Sequence, residues 1–290
     1  MLILNKARTA IKHVALSVRG QYSDVRDDYQ KVAGTYDEYY SHNLEAAAQQ
    51  FRRLLPWEEL KRPNLNVVEL AAGTGAITKT LSEALSADSV LTAVDISEAM
   101  LAENRRKTES HRGTNFVVGD AVEYLVQQPA DSVDALVCAW GVCYMPHPKL
   151  KKELTRVLKP GAFLGIMENR KGTLKELESI LLDVITNDPR LLRKAVRLEL
   201  PKDSAYIAQR IVPDGARVAE SFDSESARTV ADTESILAYV TKSGVASGYL
   251  DAIAPDLYEE LIEGLRIRID AIGPRNVPIV HRYSIVTANV

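Results

Sequence analysis

Between residues 67 and 170 the chain alternates short apolar runs with stretches of helical period, and that alternation limits the architectures open to it more than any other feature. The runs VVEL (67–70), VLTAV (90–94), FVV (116–118), VDALVCA (133–139) and FLGIM (163–167) have strand length. By contrast, Ser97 to Lys107 and Lys149 to Leu158 space their apolar residues as a helix does. Strand followed by helix, repeated, predicts parallel strands joined by crossover helices, and so an open α/β sheet with helices on both faces. The runs are apolar almost throughout, as strands buried on both sides must be. Pro160-Gly161 predicts a turn that delivers the chain into the fifth run.

On either side of this stretch the pattern changes. Residues 24–60 read as helical and carry Tyr29, Tyr36, Tyr39 and Tyr40. Residues 173–200 read as one long helical stretch that no strand interrupts, suited to a lid. Pro213-Asp214-Gly215 marks a tight turn between YIAQRIV and ARVAESF, making either a hairpin or the start of a sixth strand. Helical segments at 232–242 and 255–270 precede VPIVHRYSIVTANV, whose β-branched residues predict a closing strand. The expected organisation is an N-terminal helical cap (1–60), a core (61–170), a helical lid (171–205), and C-terminal strands and helices completing the sheet (206–290).

The first 23 residues hold Lys6, Arg8, Lys12, His13 and Arg19 but no acid, with Leu4, Ala7, Ile11, Val14 and Val18 on one helical face. An organelle-targeting segment has this composition. The preferred alternative is an amphipathic helix packed on the body or on the second subunit of a homodimer. No apolar run approaches the roughly 20 residues of a membrane helix, so no membrane span is expected. The 36 basic and 39 acidic residues give a formal charge of -3, which supplies no pull toward nucleic acid. Cys138 and Cys143 lack the spacing and the neighbouring histidines of a metal site, and read as reduced thiols of a cytoplasmic protein with no metal.

Ligands of open α/β sheets sit beyond the carboxyl ends of the strands. VVELAAGTGAITK ends the first run there, with the carboxylate of Glu69 ahead of Gly73 and Gly75. Glycines at such a turn let a ligand approach the main chain closely, and the amides opening the next helix favour a negative group. Asp95 ends the second run about 20 residues past Gly75, where a carboxylate can take both hydroxyls of a ribose. Asp120 follows the third run, so three successive strands end in acids at one edge. A dinucleotide fingerprint needs glycine where Thr78 stands, and the lysine of a triphosphate loop is missing. An acid ahead of the glycines repels pyrophosphate but suits a cationic amino group. Adenosine, ribose, amino group and carboxylate together describe S-adenosylmethionine.

Residues 67–170 resemble class I S-adenosylmethionine-dependent methyltransferases in five segments taken in order: ELAAGTGAITK, TAVDISEAML, VVGDAVEY, DALVCAWGVCYM and LKPGAFLGI. Upstream, YQKVAGTYDEYY resembles the opening segment of small-molecule methyltransferases related to the ubiquinone and menaquinone biosynthesis enzymes. The resemblance covers about residues 29–170. It implies a Rossmann-like, doubly wound, mostly parallel seven-stranded sheet with helices on both faces and a helical lid. It also implies contacts from Glu69, Ala71, Gly73 and Gly75 to the methionine part of the cofactor, and from Asp95 to the ribose diol. Ile96 and Met100 would line the ribose and adenine pocket, while Asp120 and Ala121 would meet the adenine. Trp140 would sit near the sulfonium or the adenine, with Tyr29 and Tyr36 closing over the cofactor.

CAWGVCYMPHPK, after the fourth run, is where an acceptor-side base belongs. His147 is the candidate base and Tyr144 its hydrogen-bond partner, with Glu168 and Arg170 at the end of the fifth run as further acceptor contacts. The leading expectation is methyl transfer to a small organic acceptor, leaving S-adenosylhomocysteine. A scaffold that keeps the cofactor pocket without methylating is the alternative. An NAD oxidoreductase is disfavoured by Thr78.

Overall fold

The computed structural model describes residues 2–108 and 113–290. Helices α1 (Leu2–Val18) and α2 (Val25–Tyr36) lead through a π-helical turn, Asp37–Ser41, to α3 (His42–Arg52) and the short α4 (Trp57–Leu60). The alternating stretch follows as β1 (Asn66–Leu70), α5 (Thr78–Ala84), β2 (Val90–Asp95), α6 (Glu98–Thr108), β3 (Thr114–Val118), α7 (Ala121–Val126), β4 (Val133–Ala139), α8 (His147–Val157) and β5 (Leu158–Asn169). Then come α9 (Lys175–Asn187), α10 (Ser204–Arg210), β6 (Arg217–Arg228), α11 (Thr233–Lys242), α12 (Tyr258–Ile272) and β7 (Ile279–Asn289). Each of the five apolar runs became a strand.

The strands form one seven-stranded sheet in the order β3-β2-β1-β4-β5-β7-β6. β1 lies between β2 and β4 and is parallel to both, with Leu70 beside Val94 on one side and Cys138 on the other. Strand order reverses here, because β2 and β3 run outward one way and β4 and β5 the other. β7 returns antiparallel beside β5, with Met167 opposite Ile285 and Glu168 opposite Ser284. β6 closes the far edge with mostly exposed side chains, and its charges discourage pairing with another strand. The sheet is therefore α/β, doubly wound and mostly parallel, as expected.

By internal contact the chain divides into two units. One holds 43–171, 199–225 and 282–290, and its core packs Val68, Leu70, Leu136 and Ile166 of the sheet against Leu125, Leu150, Leu154 and Ile207 of the helices. The other holds the chain up to His42, 172–198 and 226–281, and is built on helices. Leu16 of α1, Ile180 and Val184 of α9, Leu237 of α11, and Leu261 and Leu265 of α12 form its core. The segment 206–290 is thus shared out: 206–225 and 282–290 join the sheet's unit, while 226–281 folds with the helices.

Several expectations need correcting. The long helix expected over 173–200 ends at Asn187, because Asp188 precedes Pro189 and takes the extended conformation proline requires of its neighbour. Pro160-Gly161 does not precede the fifth strand but lies within it. The pairing jumps there, from Leu158 opposite Val133 to Phe163 opposite Ala135, and Gly161 takes φ 82°. The turn at 213–215 starts a sixth strand; the segment before it, YIAQRIV, is largely α10. Finally, α1 packs on its own unit by the face opposite the one expected. Thr9 and Leu16 are buried, whereas Ala7, Ile11, Val14 and Val18 are exposed; the side chain of Leu4 lies outside the described residues. The docked face is held because Asn5 Nδ2 donates to the Asn187 carbonyl at 2.8 Å and Lys12 Nζ to the Pro189 carbonyl at 3.0 Å. Carbonyls at and beyond the end of α9 have no partner within that helix, so these polar side chains decide the orientation.

Candidate functional site

The site forms where β1 and β4 part at the carboxyl edge of the sheet. The backbone just after each of these strands enters the left-handed region at a residue other than glycine, Ala71 with φ 53° and Trp140 with φ 58°. Such conformations are strained by about 1–3 kcal/mol each and persist only where their surroundings enforce them. The enforcement is visible: Trp140 donates its amide to the Met167 carbonyl at 2.8 Å, and a Cβ placed on Gly141 would lie 2.3 Å from Ala71 Cβ. Only glycine lets the two loops meet there.

The turn after β1 is tied from three elements, β2, α6 and α3. Asp95 Oδ2 accepts from the Gly73 amide at 2.8 Å, and Asp95 Oδ1 accepts from the Ser97 amide at 2.9 Å. Lys107 Nζ donates to the Thr74 carbonyl, and Arg52 donates to that of Ala76. Gly75, at φ 92°, lies against the Asn104 side chain, with no room for a Cβ. Gly73 differs, because at φ 51° a Cβ would meet nothing within 4 Å. The main chain at Gly73 is thus open to a ligand. The helix begins only at Thr78, so the amides following the glycines belong to the turn and not to a helix end.

Glu69 lies beneath this turn, buried, with Oε2 lacking any hydrogen-bond partner among the described residues. Burial pushes its carboxyl up to about 8, against the pull of hydrogen bonds from Thr78 and with a smaller push from Asp95. Thr78 also accepts from Asn104 Nδ2 at 2.7 Å, which completes a chain from α6 to β1. Nothing in the sequence reading singled out Thr78 or Asn104 for this duty. A readable signal was present, since Asn104 falls four residues after Met100 on the buried face of an otherwise charged helix. Asp95 is half-buried, and its carboxyl is likewise raised, chiefly by burial.

The register places these groups together. Glu69 and Leu70 of β1 pair with Ala93 and Val94, Asp95 follows Val94, and Asp95 pairs with Val118. Two residues further, Asp120 is exposed and caps α7, its Oδ1 accepting from the amides of Val122 and Glu123. Ile96 and Ala121 are half-buried and Met100 is buried, all following the acid-bearing strand ends. Tyr29 and Tyr36 belong to the helical unit, where their rings meet edge to face at 6.2 Å and Tyr36 goes on to Tyr40 at 4.9 Å. The rim is assembled within the sheet's unit.

His147 is placed differently from the loop base expected. It is buried at the start of α8, with Nε2 3.1 Å from the Val142 carbonyl and Nδ1 3.2 Å from the Tyr206 hydroxyl. A carbonyl only accepts, so Nε2 carries the proton. Tyr206 in turn reaches Glu199 at 3.1 Å. Both ring nitrogens are therefore engaged, Nε2 with the turn before α8 and Nδ1 with Tyr206 of α10, so Tyr144 is not the hydrogen-bond partner expected. Tyr144 is half-buried in the turn that follows Trp140. Glu168, buried at the end of β5, accepts from the Cys143 amide at 3.0 Å and the Asn169 amide at 2.7 Å, and burial pushes it up to about 7. Arg170 lies 3.9 Å from Asp223, which also accepts from Ser204 and Ser284. Cys138 and Cys143 are buried free thiols whose pKa values burial pushes well up.

Comparison with known proteins follows the same stretch of chain. Residues 67–161 match a family described as a methyltransferase domain. A demethylmenaquinone methyltransferase of Staphylococcus aureus (strain MRSA252) is 32% identical over 114 residues, covering 39% of this chain and 46% of the relative. The chain thus spans about half the length of the curated relatives it matches. Among solved structures, phosphoethanolamine N-methyltransferase 2 of Haemonchus contortus, with phosphomonomethylethanolamine and S-adenosylhomocysteine, superposes with a TM-score of 0.50 at 15% identity, covering 92% of this chain and 60% of that one. A Bacillus halodurans protein assigned to the methyltransferases gives 0.50 at 14% identity, covering 84% and 98%. At these identities the likeness is one of fold.

The raised carboxyl of Glu69 has a consequence for stability. The folded chain holds this proton up to about pH 8, whereas an unfolded one releases it near 4.5. The stability conferred is complete below 4.5 and is lost as pH rises toward 8. Glutamine mimics the protonated side chain and does not titrate. Glu69→Gln is therefore expected to gain on the wild type between pH 5 and pH 8 by about 3–4 kcal/mol, on the order of ten degrees in Tm. Calorimetric melts of both proteins across that interval would check it, and parallel curves would refute the assignment.

Proposed function

We propose, from the match of residues 67–161 to a methyltransferase domain, that this chain transfers a methyl group from S-adenosylmethionine to a small organic acceptor. The observation that carries the reading is the unpartnered, buried Oε2 of Glu69 beneath the open main chain at Gly73. A buried polar atom without a partner is costly, and a ligand ammonium at that point satisfies it. Asp95 keeps further lone pairs for the ribose hydroxyls while it holds Gly73 and Ser97. Asp120 Oδ2, outside the cap, would take the adenine amine, and Ile96, Met100 and Ala121 would supply apolar walls to its ring. The bound cofactor supplies an activated methyl carbon on a sulfonium.

The protein's part is chiefly positioning, which can provide about 7–11 kcal/mol toward an in-line displacement. Trp140 and Tyr144, on the loop after β4, flank the place where acceptor and donor meet. The ring of His147 fixes that loop to α8 through the Val142 carbonyl, and so acts as a positioning residue. Glu168 holds the same loop from β5 through the Cys143 amide, with a carboxyl poised near neutrality. The relatives' names concern a lipid-quinone precursor and a phosphorylated amine. Both are small organic molecules, which supports the acceptor class and no narrower one.

Titration calorimetry tests the cofactor. Binding of an ammonium needs Glu69 ionised, so affinity is expected to rise with pH from 6 to 8 by up to about tenfold per unit, with release of a proton. Glu69→Gln should bind more weakly and lose that slope. Asp95→Ala should weaken binding by about 100- to 10,000-fold, the equivalent of two hydrogen bonds to a charged group. Undiminished affinity in Asp95→Ala would sink the reading. Transfer of labelled methyl from the cofactor into a metabolite extract then separates an enzyme from a binding scaffold.

For His147 the expected split is between stability and rate. His147→Ala removes two hydrogen bonds from a buried position and should lower stability by about 1–3 kcal/mol. His147→Gln should recover part of it, and the pH profile of kcat should keep its shape in both. Loss of the acidic limb, the fall in rate as a base is protonated, would instead make His147 the base.

A further inference from the structure

Helix α1 turns its apolar stripe to solvent. Its docked side is Asn5, Thr9, Lys12 and Leu16, of which Asn5 and Lys12 bond to carbonyls of Asn187 and Pro189 and the other two are buried. At 3.6 residues per turn, Ala7, Ile11, Val14 and Val18 fall opposite that side. Ile11 is 69% exposed, Val14 60% and Val18 83%. Scattered surface aliphatics are ordinary, but these three share one stripe with no polar residue between them. Arg8 and Arg19 edge the stripe on one flank and Lys6 on the other, all exposed, and residues 1–23 contain no acid.

The charges decide between occupants. Pairing of this face with the same face of a second copy would set Lys6, Arg8 and Arg19 against their equivalents, a like-charge arrangement that destabilises the contact. An anionic surface satisfies the cations and the stripe together. We propose that α1 is an interfacial helix that lays Ile11, Val14 and Val18 into the headgroup region of an anionic bilayer, with Lys6, Arg8 and Arg19 over lipid phosphates. The docked face needs no rearrangement, since Asn5, Thr9, Lys12 and Leu16 keep their contacts. Three aliphatic side chains and three cations make the attachment reversible and salt-sensitive.

Cosedimentation of the full chain with vesicles tests this. Vesicles containing roughly a third phosphatidylglycerol should bind about 10- to 100-fold more tightly than pure phosphatidylcholine, and raising the salt should remove most of the difference. Ile11→Asp and the pair Arg8→Glu with Arg19→Glu should each reduce binding at least tenfold, with unchanged circular dichroism and Tm because all three positions are exposed. Should Ile11→Asp misfold, Ile11→Ser with Val14→Ser carries the same expectation. Equal binding to both vesicle types, or binding undiminished in the variants, would overturn the proposal. So would a dimer in solution that Ile11→Asp converts to monomer without vesicle binding, an outcome that assigns the stripe to a second copy.

Discussion

The parallel pairing of β1 with β2 on one side and β4 on the other is the constraint from which the rest of the site follows. It sets Val67–Leu70 against Leu91–Val94 and Ala135–Cys138, and so fixes where all three strands stop. Because the strand order reverses at β1, its loop and that of β4 leave in opposite directions and open a gap. Ala71 and Trp140, the first residues past those strands, take the left-handed conformation to make the divergence, and the close approach of Gly141 to Ala71 keeps the gap's floor sealed. A one-residue slip of β1 would turn Glu69 to the opposite face and replace it with an aliphatic residue. The near-continuous apolar sequence of the strand does not forbid that slip by burial alone. The hydrogen bonds from Thr78 to Glu69 and from Gly73 to Asp95 supply the missing register information.

Those same groups work against the fold. A carboxyl held to about pH 8, one held to about 7, and two strained residues all sit on one edge of the sheet. Each lowers the stability of the cofactor-free chain at neutral pH, and the compensation lies elsewhere, in the sheet's aliphatic core and the helix-capping carboxylates Asp120, Asp203 and Asp232. Separation of cost from compensation is the expected signature of a ligand site, where local rules are broken in favour of binding. Glu168 fits this pattern through its neighbours. By accepting from Cys143 and Asn169 it joins the loop after β4 to the end of β5, so that a buried acid stiffens the rim while remaining close to titration.

How much of this was legible in the sequence depended on the range of the interaction. The strands were legible because burial on both faces leaves an unbroken apolar record, and the rim acids because a charge falls at the strand end at Asp95 and just past it at Asp120. The stop of the helix at Asn187 is written in the following Asp-Pro pair, a local signal that helical period alone does not carry. His147 shows a second limit of local pattern. Flanking prolines suggest an exposed loop, but Pro148 lies in the first turn of α8, where its missing amide is harmless, and the ring is drawn under by Val142 and Tyr206. Its partner Tyr206 is 59 residues away, so no local pattern could announce it. Thr78 shows the same limit. It was read as a departure from a dinucleotide motif, whereas its hydroxyl links Asn104 to Glu69, a duty glycine cannot perform.

Amphipathic period, finally, says that a helix has two faces and not which of them is docked. In α12 the apolar residues Leu261, Leu265 and Ile269 are the buried ones, as the hydrophobic effect alone would have it. In α1 the order is reversed. The difference lies in what the neighbour offers: α9 presents carbonyls at Asn187 and Pro189, where the helix has ended and no further amides follow to satisfy them. Asn5 and Lys12 reach those carbonyls only if Thr9 and Leu16 face inward with them, and the stripe on the other side is then left outward by geometry. Two polar bonds, each worth about 1 kcal/mol, set the direction of three exposed aliphatic side chains. An arrangement so lightly weighted against burial is what the interfacial role proposed for α1 would account for.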